Sequence, residues 1–282
     1  MSRITAALDR AAAEHRPALI TYLCAGDPDL ASTPDVIVAV AEAGADVIEI
    51  GVPFSDPTAD GPIIQRASER ALRAGATLPG VLDAVQEARA RTDVPMLLFG
   101  YYNPFAAEIH DGYVWGRGAI DMKHMAAMSA CVMTLLAREA KEAGADGLLV
   151  VDLPPDECAV LRDPAVAAGL DWVPLVAPTS TPERVARAAS VATSFVYVIS
   201  IAGVTGAGHV DIEHAAKRAA DVRAATGKKV ALGFGIKSAE DVRRAAPHVD
   251  GVVVGSALVT ALAEGGIARG AELVRSLRAA AG

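Results

Sequence analysis

Residues 46–62 read Asp46-Val-Ile-Glu-Ile-Gly-Val-Pro-Phe-Ser-Asp-Pro-Thr-Ala-Asp-Gly-Pro62. The apolar run that begins at Val47 predicts a strand buried on both faces, and it contains a carboxylate, Glu49. Prolines and glycines then mark a loop that carries Asp56 and Asp60. Parallel α/β proteins build acid–base sites from an acid at a strand end and a second acid in the next loop. The alternative is that Glu49 pairs with a buried cation and that the two aspartates form turns or helix caps.

The same alternation of apolar runs and helical segments continues along the chain in both directions. Eight runs are predicted as strands: Leu19–Cys24, Val47–Ile50, Met96–Tyr101, Gly147–Val151, Trp172–Val176, Phe195–Ile199, Val230–Leu232 and Val252–Val254. Eight strand–helix alternations predict an α/β fold, a parallel eight-stranded (β/α)8 TIM barrel that forms a single domain over residues 1–282. An open doubly wound sheet is the alternative, but the sequence lacks the glycine fingerprint of its switch point.

Composition excludes several classes of function. The net charge is −8, and no cluster of Lys and Arg is interleaved with aromatic residues, so neither nucleic acid nor an acidic membrane surface is an expected partner. The three cysteines, Cys24, Cys131 and Cys158, lie far apart, which argues against a disulfide framework. There is no apolar signal segment at the N-terminus, and no apolar run is long enough to span a bilayer. We therefore expect a cytoplasmic protein.

Glycine-rich loops follow the predicted strands seven and eight. They are Gly233-Phe-Gly235 and Gly255-Ser256, at the positions where barrels of this kind commonly hold phosphate. Glycine lets backbone N–H groups approach phosphate oxygens, and Ser256 adds a hydroxyl at a helix N-terminus. The alternative is that these glycines only turn the chain. Two such loops at the expected strand ends favour a phosphate site.

The stretch at 49–62 resembles the signature of the tryptophan synthase α subunit family, Glu-hydrophobic-Gly-x-Pro-Phe-Ser-Asp-Pro-x-Ala-Asp-Gly-Pro, at every fixed position. The resemblance implies a lyase of tryptophan biosynthesis that cleaves indole-3-glycerol phosphate to indole and glyceraldehyde 3-phosphate, without a metal or cofactor. It assigns Glu49 as the general acid–base and Asp60 as the acceptor of the indole N–H. It also implies a partner, the pyridoxal-phosphate β subunit, docked on loops at the C-terminal face of the barrel.

The resemblance extends to further residues of the site. Those assigned to the substrate phosphate are Gly206, Gly235, Gly255 and Ser256. Those assigned to substrate binding or to a closing lid are Tyr22, Tyr102, Tyr197, Thr205 and Phe234. The lid is the loop Gly203-Val-Thr-Gly206, which matches the family's mobile loop. Tyr197 and Phe234 have the alternative role of core aromatic residues.

Residues 105–140 depart from the family pattern and predict an enlarged loop and helix after strand three. The segment near 104–139 instead resembles the Gly-Arg-Gly-x-x-Asp-Met-Lys element of dinuclear zinc peptidases of the aminoacylase and carboxypeptidase type, in which Asp121 would bridge two metal ions. The other ligands of such a site are missing from the sequence, so we expect no metal and interpret Asp121 as the cap of a helix over Met122–Ala143.

This departure leaves two alternatives to the complete α-subunit function. One is an engineered chimeric barrel scaffold with reduced or no activity, and the other is a stand-alone indole-releasing lyase. Because the enlarged loop over Phe105–Ile120 lies on the expected docking face, we also expect weakened association with a β subunit.

Overall fold

The computed structural model describes residues 1–102, 108–110, 113–115, 125–200, 212–233 and 235–282, with side chains for all of these except 108–110, 113–115 and 125–133. The strands are β1 Ala18–Cys24, β2 Val47–Gly51, β3 Met96–Gly100, β4 Glu108–His110, β5 Tyr113–Trp115, β6 Gly147–Val150, β7 Asp171–Trp172, β8 Leu175–Val176, β9 Phe195–Ile199, β10 Lys229–Gly233 and β11 Gly251–Val254. The helices are α1 Arg3–Ala13, α2 Thr33–Glu42, α3 Pro62–Arg73, α4 Leu78–Arg89, α5 Met125–Glu142, α6 Ala159–Ala167, α7 Pro182–Val191, α8 Ile212–Thr226, α9 Ala239–Ala245 and α10 Ser256–Ala281, with a 3-10 turn at Ala246–His248.

The main sheet is parallel, with the order β7-β6-β3-β2-β1-β11-β10-β9-β8. Its two outer strands are halves of one chain segment and are separated only by Val173 and Pro174. The Val173 N–H donates to Leu148 O on one side (3.0 Å), and the Tyr197 N–H donates to Pro174 O on the other (3.0 Å). The sheet therefore closes on itself as the predicted barrel. The fifth predicted strand is interrupted because proline has no N–H to donate to the ladder.

Along each strand, side chains point alternately into the barrel interior and outward to the surrounding helices. Interior positions include Ala18, Ile20, Tyr22, Val47, Leu97, Phe99, Leu149, Val173, Phe195, Tyr197, Ala231 and Val253, which form one buried cluster with Ile4 and Leu8 of α1. The residues between them, such as Leu19, Ile48, Leu98 and Val252, pack with the outer helices in a second cluster. This two-sided burial explains why the strands read as continuous apolar runs. Glu49 has the parity of Val47 and therefore faces inward.

Aspartates that come just before one strand accept hydrogen bonds from backbone N–H groups at the start of the neighbouring strand. Asp46 Oδ2 accepts the Leu19 N–H (2.8 Å), and the Asp46 carboxylate receives a bidentate bond from Arg16 (2.6 and 2.9 Å). Asp146 Oδ2 likewise accepts the Met96 N–H (3.0 Å) and a bond from Arg89 (2.6 Å). Asp250 repeats the arrangement with Val230 and Arg223.

Two of these aspartates end the repeated sequence Glu-Ala-Gly-Ala-Asp, at residues 42–46 and 142–146. The glycines, Gly44 and Gly144, have φ of 108° and 96°, which is the left-handed conformation expected of a glycine cap. The repeat therefore combines a helix end with a polar clasp between neighbouring strands, at the N-terminal end of the barrel.

Between β3 and β6, the described backbone contains the antiparallel pair β4–β5 and the long helix α5. This agrees with an enlarged loop and helix after strand three. The described part of the helix is Met125–Glu142, and the predicted cap, Asp121, and the predicted helix start at Met122 lie outside the described residues. Of the apolar pair at the helix middle, Leu136 is buried and Leu135 is 43% exposed. In the described part of the chain, no helix is long and apolar enough to cross a membrane.

Candidate active site

Glu49 lies in the middle of β2, between Tyr22 of β1 and Leu97 of β3 in the strand register. Its side chain points into the barrel and is 1% exposed, and Oε1 has no hydrogen-bond partner among the described residues. Burial raises the pKa of this carboxyl from its ordinary 4.5 to about 8, because the surrounding apolar wall disfavours the charged form. The predicted alternative of a buried cation paired with Glu49 is not observed among the described residues. Glu49 is therefore a proton-bearing acid near neutral pH.

Asp60 lies at the end of the loop after β2, next to Gly61, the N-cap residue of α3, and is 3% exposed. Its Oδ2 accepts a hydrogen bond from the Tyr101 hydroxyl (3.1 Å), whereas no described residue bonds to Oδ1. Burial raises the pKa of Asp60 from 3.8 to about 6, and the hydrogen bond from Tyr101 opposes that rise. At neutral pH Asp60 is thus mainly ionised, while Glu49 is mainly protonated. The two acids differ in protonation state, so one can donate a proton and the other carries a negative charge.

A single cavity at the C-terminal end of the barrel brings these groups together. Its lining comprises Tyr22, Glu49, Asp60, Ile64, Phe99, Tyr197, Gly235, Ile236, Val253, Gly255 and Ser256. The walls are mainly aromatic and aliphatic, and the Tyr22 and Phe99 rings meet edge to face with centroids 5.2 Å apart. Such a cavity suits a flat apolar ring whose polar atoms meet a few convergent groups.

The predicted phosphate residues divide into two groups. Gly235, Gly255 and Ser256 line the same cavity as the two acids, and α10 begins at Ser256 as predicted. Gly235 has φ of 99°, a backbone conformation that residues with a side chain rarely adopt. Gly206, together with Thr205 and Phe234, which were assigned to substrate binding or the lid, lies outside the described residues.

Of the two consecutive tyrosines after β3, the structure places Tyr101 rather than Tyr102 beside Asp60. Tyr101 is 3% exposed, whereas Tyr102 is half-buried and its backbone N–H donates to Asp152 Oδ1 (2.6 Å). Tyr22 and Tyr197 do line the cavity. Tyr101 was absent from the predicted site, and the Tyr-Tyr pair offered no signal to choose between its members, because neighbouring residues at a strand end point to opposite sides.

The described residues contain no group of three or more His, Cys, Asp or Glu side chains able to hold a metal ion. Asp121, the proposed metal-bridging residue of the zinc-peptidase resemblance, lies outside them.

Comparison with known proteins identifies one family. The family model described as "Tryptophan synthase alpha chain" matches residues 8–281, a range that includes the atypical segment 105–140. The tryptophan synthase alpha chain of Azoarcus sp. (strain BH72) is 45% identical over 260 residues, which are 92% of this chain and 88% of the relative. That of Geobacter sp. (strain M21) is 43% identical over 277 residues, 98% of this chain and 94% of the relative.

Solved structures agree with these relatives. A chain of tryptophan synthase from M. tuberculosis in its aminoacrylate-bound form superposes with a TM-score of 0.83 at 34% identity and full coverage of both chains. Tryptophan synthase subunit alpha from Legionella pneumophila str. Paris has a TM-score of 0.83 at 31% identity, covering 99% of this chain and 98% of that one. None of these similarities supports a zinc-peptidase segment or a chimeric origin.

Proposed function

Because this chain belongs to the tryptophan synthase alpha chain family, we propose that its two buried acids, Glu49 and Asp60, carry out the family's lyase reaction. That reaction cleaves indole-3-glycerol phosphate to indole and glyceraldehyde 3-phosphate. The observation that supports these roles most strongly is that one oxygen of each acid, Glu49 Oε1 and Asp60 Oδ1, has no hydrogen-bond partner among the described residues, in a cavity that both acids line. A buried polar atom without a partner is costly, so it favours a ligand that supplies one.

Glu49 acts as the proton donor and acceptor. With a pKa of about 8 it holds a proton at neutral pH, which it donates to the indole carbon that bears the glycerol phosphate chain. The resulting carboxylate then removes the proton of the hydroxyl next to the breaking bond. The carbon–carbon bond electrons return to the ring, the hydroxyl carbon becomes the aldehyde, and Glu49 ends protonated. No water or redox partner is consumed.

Asp60 acts as the acceptor of the indole N–H. Protonation of the ring carbon places positive charge on the ring nitrogen, and an ionised carboxylate beside that nitrogen stabilises the charge. The pKa of about 6 leaves Asp60 mainly ionised at neutral pH, and no described residue bonds to its Oδ1. This stabilisation grows in the transition state, so it lowers the barrier rather than only strengthening substrate binding.

The remaining predicted residues that the structure describes, apart from Tyr102, line the same cavity as these acids. Tyr22 and Tyr197 flank the ring, and Gly235, Gly255 and Ser256 lie where the phosphate of the substrate would be held. Gly206, Thr205 and Phe234 lie outside the described residues, and their roles in phosphate binding, in the lid or in substrate binding rest on the family resemblance. The backbone N–H groups of the glycines and of the first turn of α10, together with the Ser256 hydroxyl, are hydrogen-bond donors of the kind that bind phosphate.

The expected partner is the tryptophan synthase β subunit, as the family name implies. Weakened docking caused by residues 105–120 stays a prediction, because only the backbone of β4 and β5 is described in this segment. A cytoplasmic location also stays a prediction.

The test is indole release from indole-3-glycerol phosphate by the purified chain, measured with and without a β subunit. We expect indole and glyceraldehyde 3-phosphate in equal amounts, with a higher rate when the β subunit is present. A folded chain that releases no indole under either condition would contradict the proposed function.

A further inference from the structure

The loop that carries Asp60 is held from two sides by side chains of neighbouring elements. We call residues 57–60 the Asp60 turn, in which the Asp60 N–H donates to Pro57 O (3.1 Å). From α3, the amide nitrogen of Gln65 lies 2.8 Å from Asp60 O and 3.3 Å from Pro57 O. From the end of β3, the Tyr101 hydroxyl contacts both the Ala59 N–H (2.9 Å) and the Asp60 carboxylate (3.1 Å).

The chemistry of these contacts determines which atom donates. A backbone N–H can only donate, so the Tyr101 oxygen accepts from Ala59 and its own proton is directed to Asp60 Oδ2. Both partners of the Gln65 amide are carbonyl oxygens, so its NH2 group faces them. The Tyr101 ring also packs against Phe54 of the same loop, with centroids 5.1 Å apart. Oδ2 of Asp60 is thereby hydrogen-bonded to the protein, whereas Oδ1 has no partner in the part of the chain that the structure describes.

We propose that Tyr101 and Gln65 are positioning residues for Asp60, which engage its Oδ2 and its turn so that Oδ1 is presented to the N–H donor of the ligand. This role rests on the proposed lyase function. Neither Tyr101 nor Gln65 is among the residues that line the cavity. Their effect is to hold one carboxylate oxygen at a set place before the substrate arrives, which avoids the cost of reorganising the site during the reaction.

The measured pKa of Asp60 depends on which neighbouring groups are charged while it titrates. Among the residues that the structure describes, the ionisable groups around Asp60 are Tyr22 and Cys24 of β1, Glu49 of β2, Tyr101 after β3 and Tyr197 of β9. Burial raises the pKa of each tyrosine and of the cysteine thiol above its usual range, and Glu49 keeps its proton up to about pH 8. All of them are therefore neutral while Asp60 ionises near pH 6. The Tyr101 hydroxyl is thus the group whose removal changes that titration most directly.

The first test measures the Asp60 pKa in the substrate-free protein, from the carbon-13 signal of its labelled carboxyl group. Tyr101→Phe keeps the ring that packs on Phe54 but removes the donor, so the pKa of Asp60 is expected to rise. Tyr102→Phe is the control for this titration, because its hydroxyl is not bonded to Asp60. An unchanged Asp60 pKa in folded Tyr101→Phe would overturn the proposal, whether or not the chain cleaves indole-3-glycerol phosphate.

The second test uses cleavage kinetics. In Tyr101→Phe the acidic limb of the pH–rate profile is expected to move to higher pH, together with a roughly 10-fold or greater loss of kcat. Gln65→Met removes the amide donors at similar length and is expected to lower kcat more than it raises KM. Gln86→Met, on the exposed face of α4, is the matched control. A Gln65→Met enzyme with the kinetics of Gln86→Met would remove Gln65 from the proposal, and this test stands even if Tyr101→Phe fails to fold.

Discussion

The hydroxyl of Tyr22 occupies the space that a side chain at Gly51 would need. A Cβ atom built on Gly51 would lie 2.1 Å from the Tyr22 hydroxyl oxygen, and the two residues sit on neighbouring strands. Gly233 and Tyr197 repeat this relationship across the barrel, where the corresponding distance is 2.0 Å. Each glycine makes room for one tyrosine of the cavity. The absence of a side chain on one strand therefore sets the position of an aromatic ring on the next.

Gly51→Ala is expected to displace Tyr22 and to lower both stability and cleavage. Inserting a methyl group into a packed interior costs about 1–3 kcal/mol, and the ring it displaces lines the cavity. Chemical unfolding and indole release would measure the two effects. In a Tyr22→Ala background the added methyl group has room, so the stability cost of Gly51→Ala should be smaller there. Equal costs in both backgrounds would refute the steric relationship.

Glu49→Gln is expected to reduce cleavage by about 10²–10⁴-fold while the protein stays folded, because the amide keeps the shape of the carboxyl but cannot exchange a proton. Single-turnover indole release would measure the chemical step. Circular dichroism and a thermal melt serve as the folding control. Near-normal turnover by a folded variant would exclude Glu49 as the acid–base.

The stability of the protein is expected to depend on pH through Glu49. Its pKa is about 8 in the folded protein against an ordinary 4.5, so the folded state binds more protons than the unfolded chain between these values. The free energy of unfolding therefore falls as pH rises through this window, by at most about 1.4 kcal/mol per pH unit from this group. Denaturant titrations of wild type and Glu49→Gln at several pH values isolate its share. A difference between the two proteins that does not change with pH would contradict the raised pKa.

Asp60→Asn is expected to be nearly as damaging to cleavage as Glu49→Gln, since an amide supplies no negative charge to the ring nitrogen. A loss of about 10²-fold or more in kcat is expected, in line with the removal of one charge-stabilising group elsewhere. Asp56→Asn is the matched control because Asp56 lies on the same loop but is exposed, with Ser55 as its hydrogen-bond partner. If both variants lose the same activity without a β subunit, the loss comes from the loop and not from Asp60.

Asp146→Ala is expected to lower stability by about 3–5 kcal/mol, because it leaves the Arg89 guanidinium and the Met96 N–H without their shared partner. The Asp146 side chain is 3% exposed, whereas that of Asp250 in the equivalent clasp is 23% exposed. Asp250→Ala should therefore cost less, since water can replace the lost partner. Urea unfolding of both variants checks this order, and a larger cost at residue 250 would contradict it.

The sequence was sufficient to predict the barrel and its two acids. Continuous apolar runs that alternate with helical segments favour a parallel sheet covered by helices, and a carboxylate inside such a run is costly unless it is paired, hydrogen-bonded or protonated. Glu49 and Asp60 lie in one continuous stretch, so a local pattern could place them in the same site. The interruption of the fifth strand at Pro174 was not predicted, because the flanking apolar residues continue the strand pattern on both sides of the proline.

Only the tertiary structure decided how the site is held. The Tyr101–Asp60 hydrogen bond joins residues 41 positions apart, and the Tyr22–Gly51 relationship depends on the register between two strands. The choice of Tyr101 over Tyr102 depends on which side of the chain faces the cavity once the barrel has closed. These contacts form only when separate segments pack together. A local stretch of sequence therefore identifies the two acids, but it does not identify the residues that orient them.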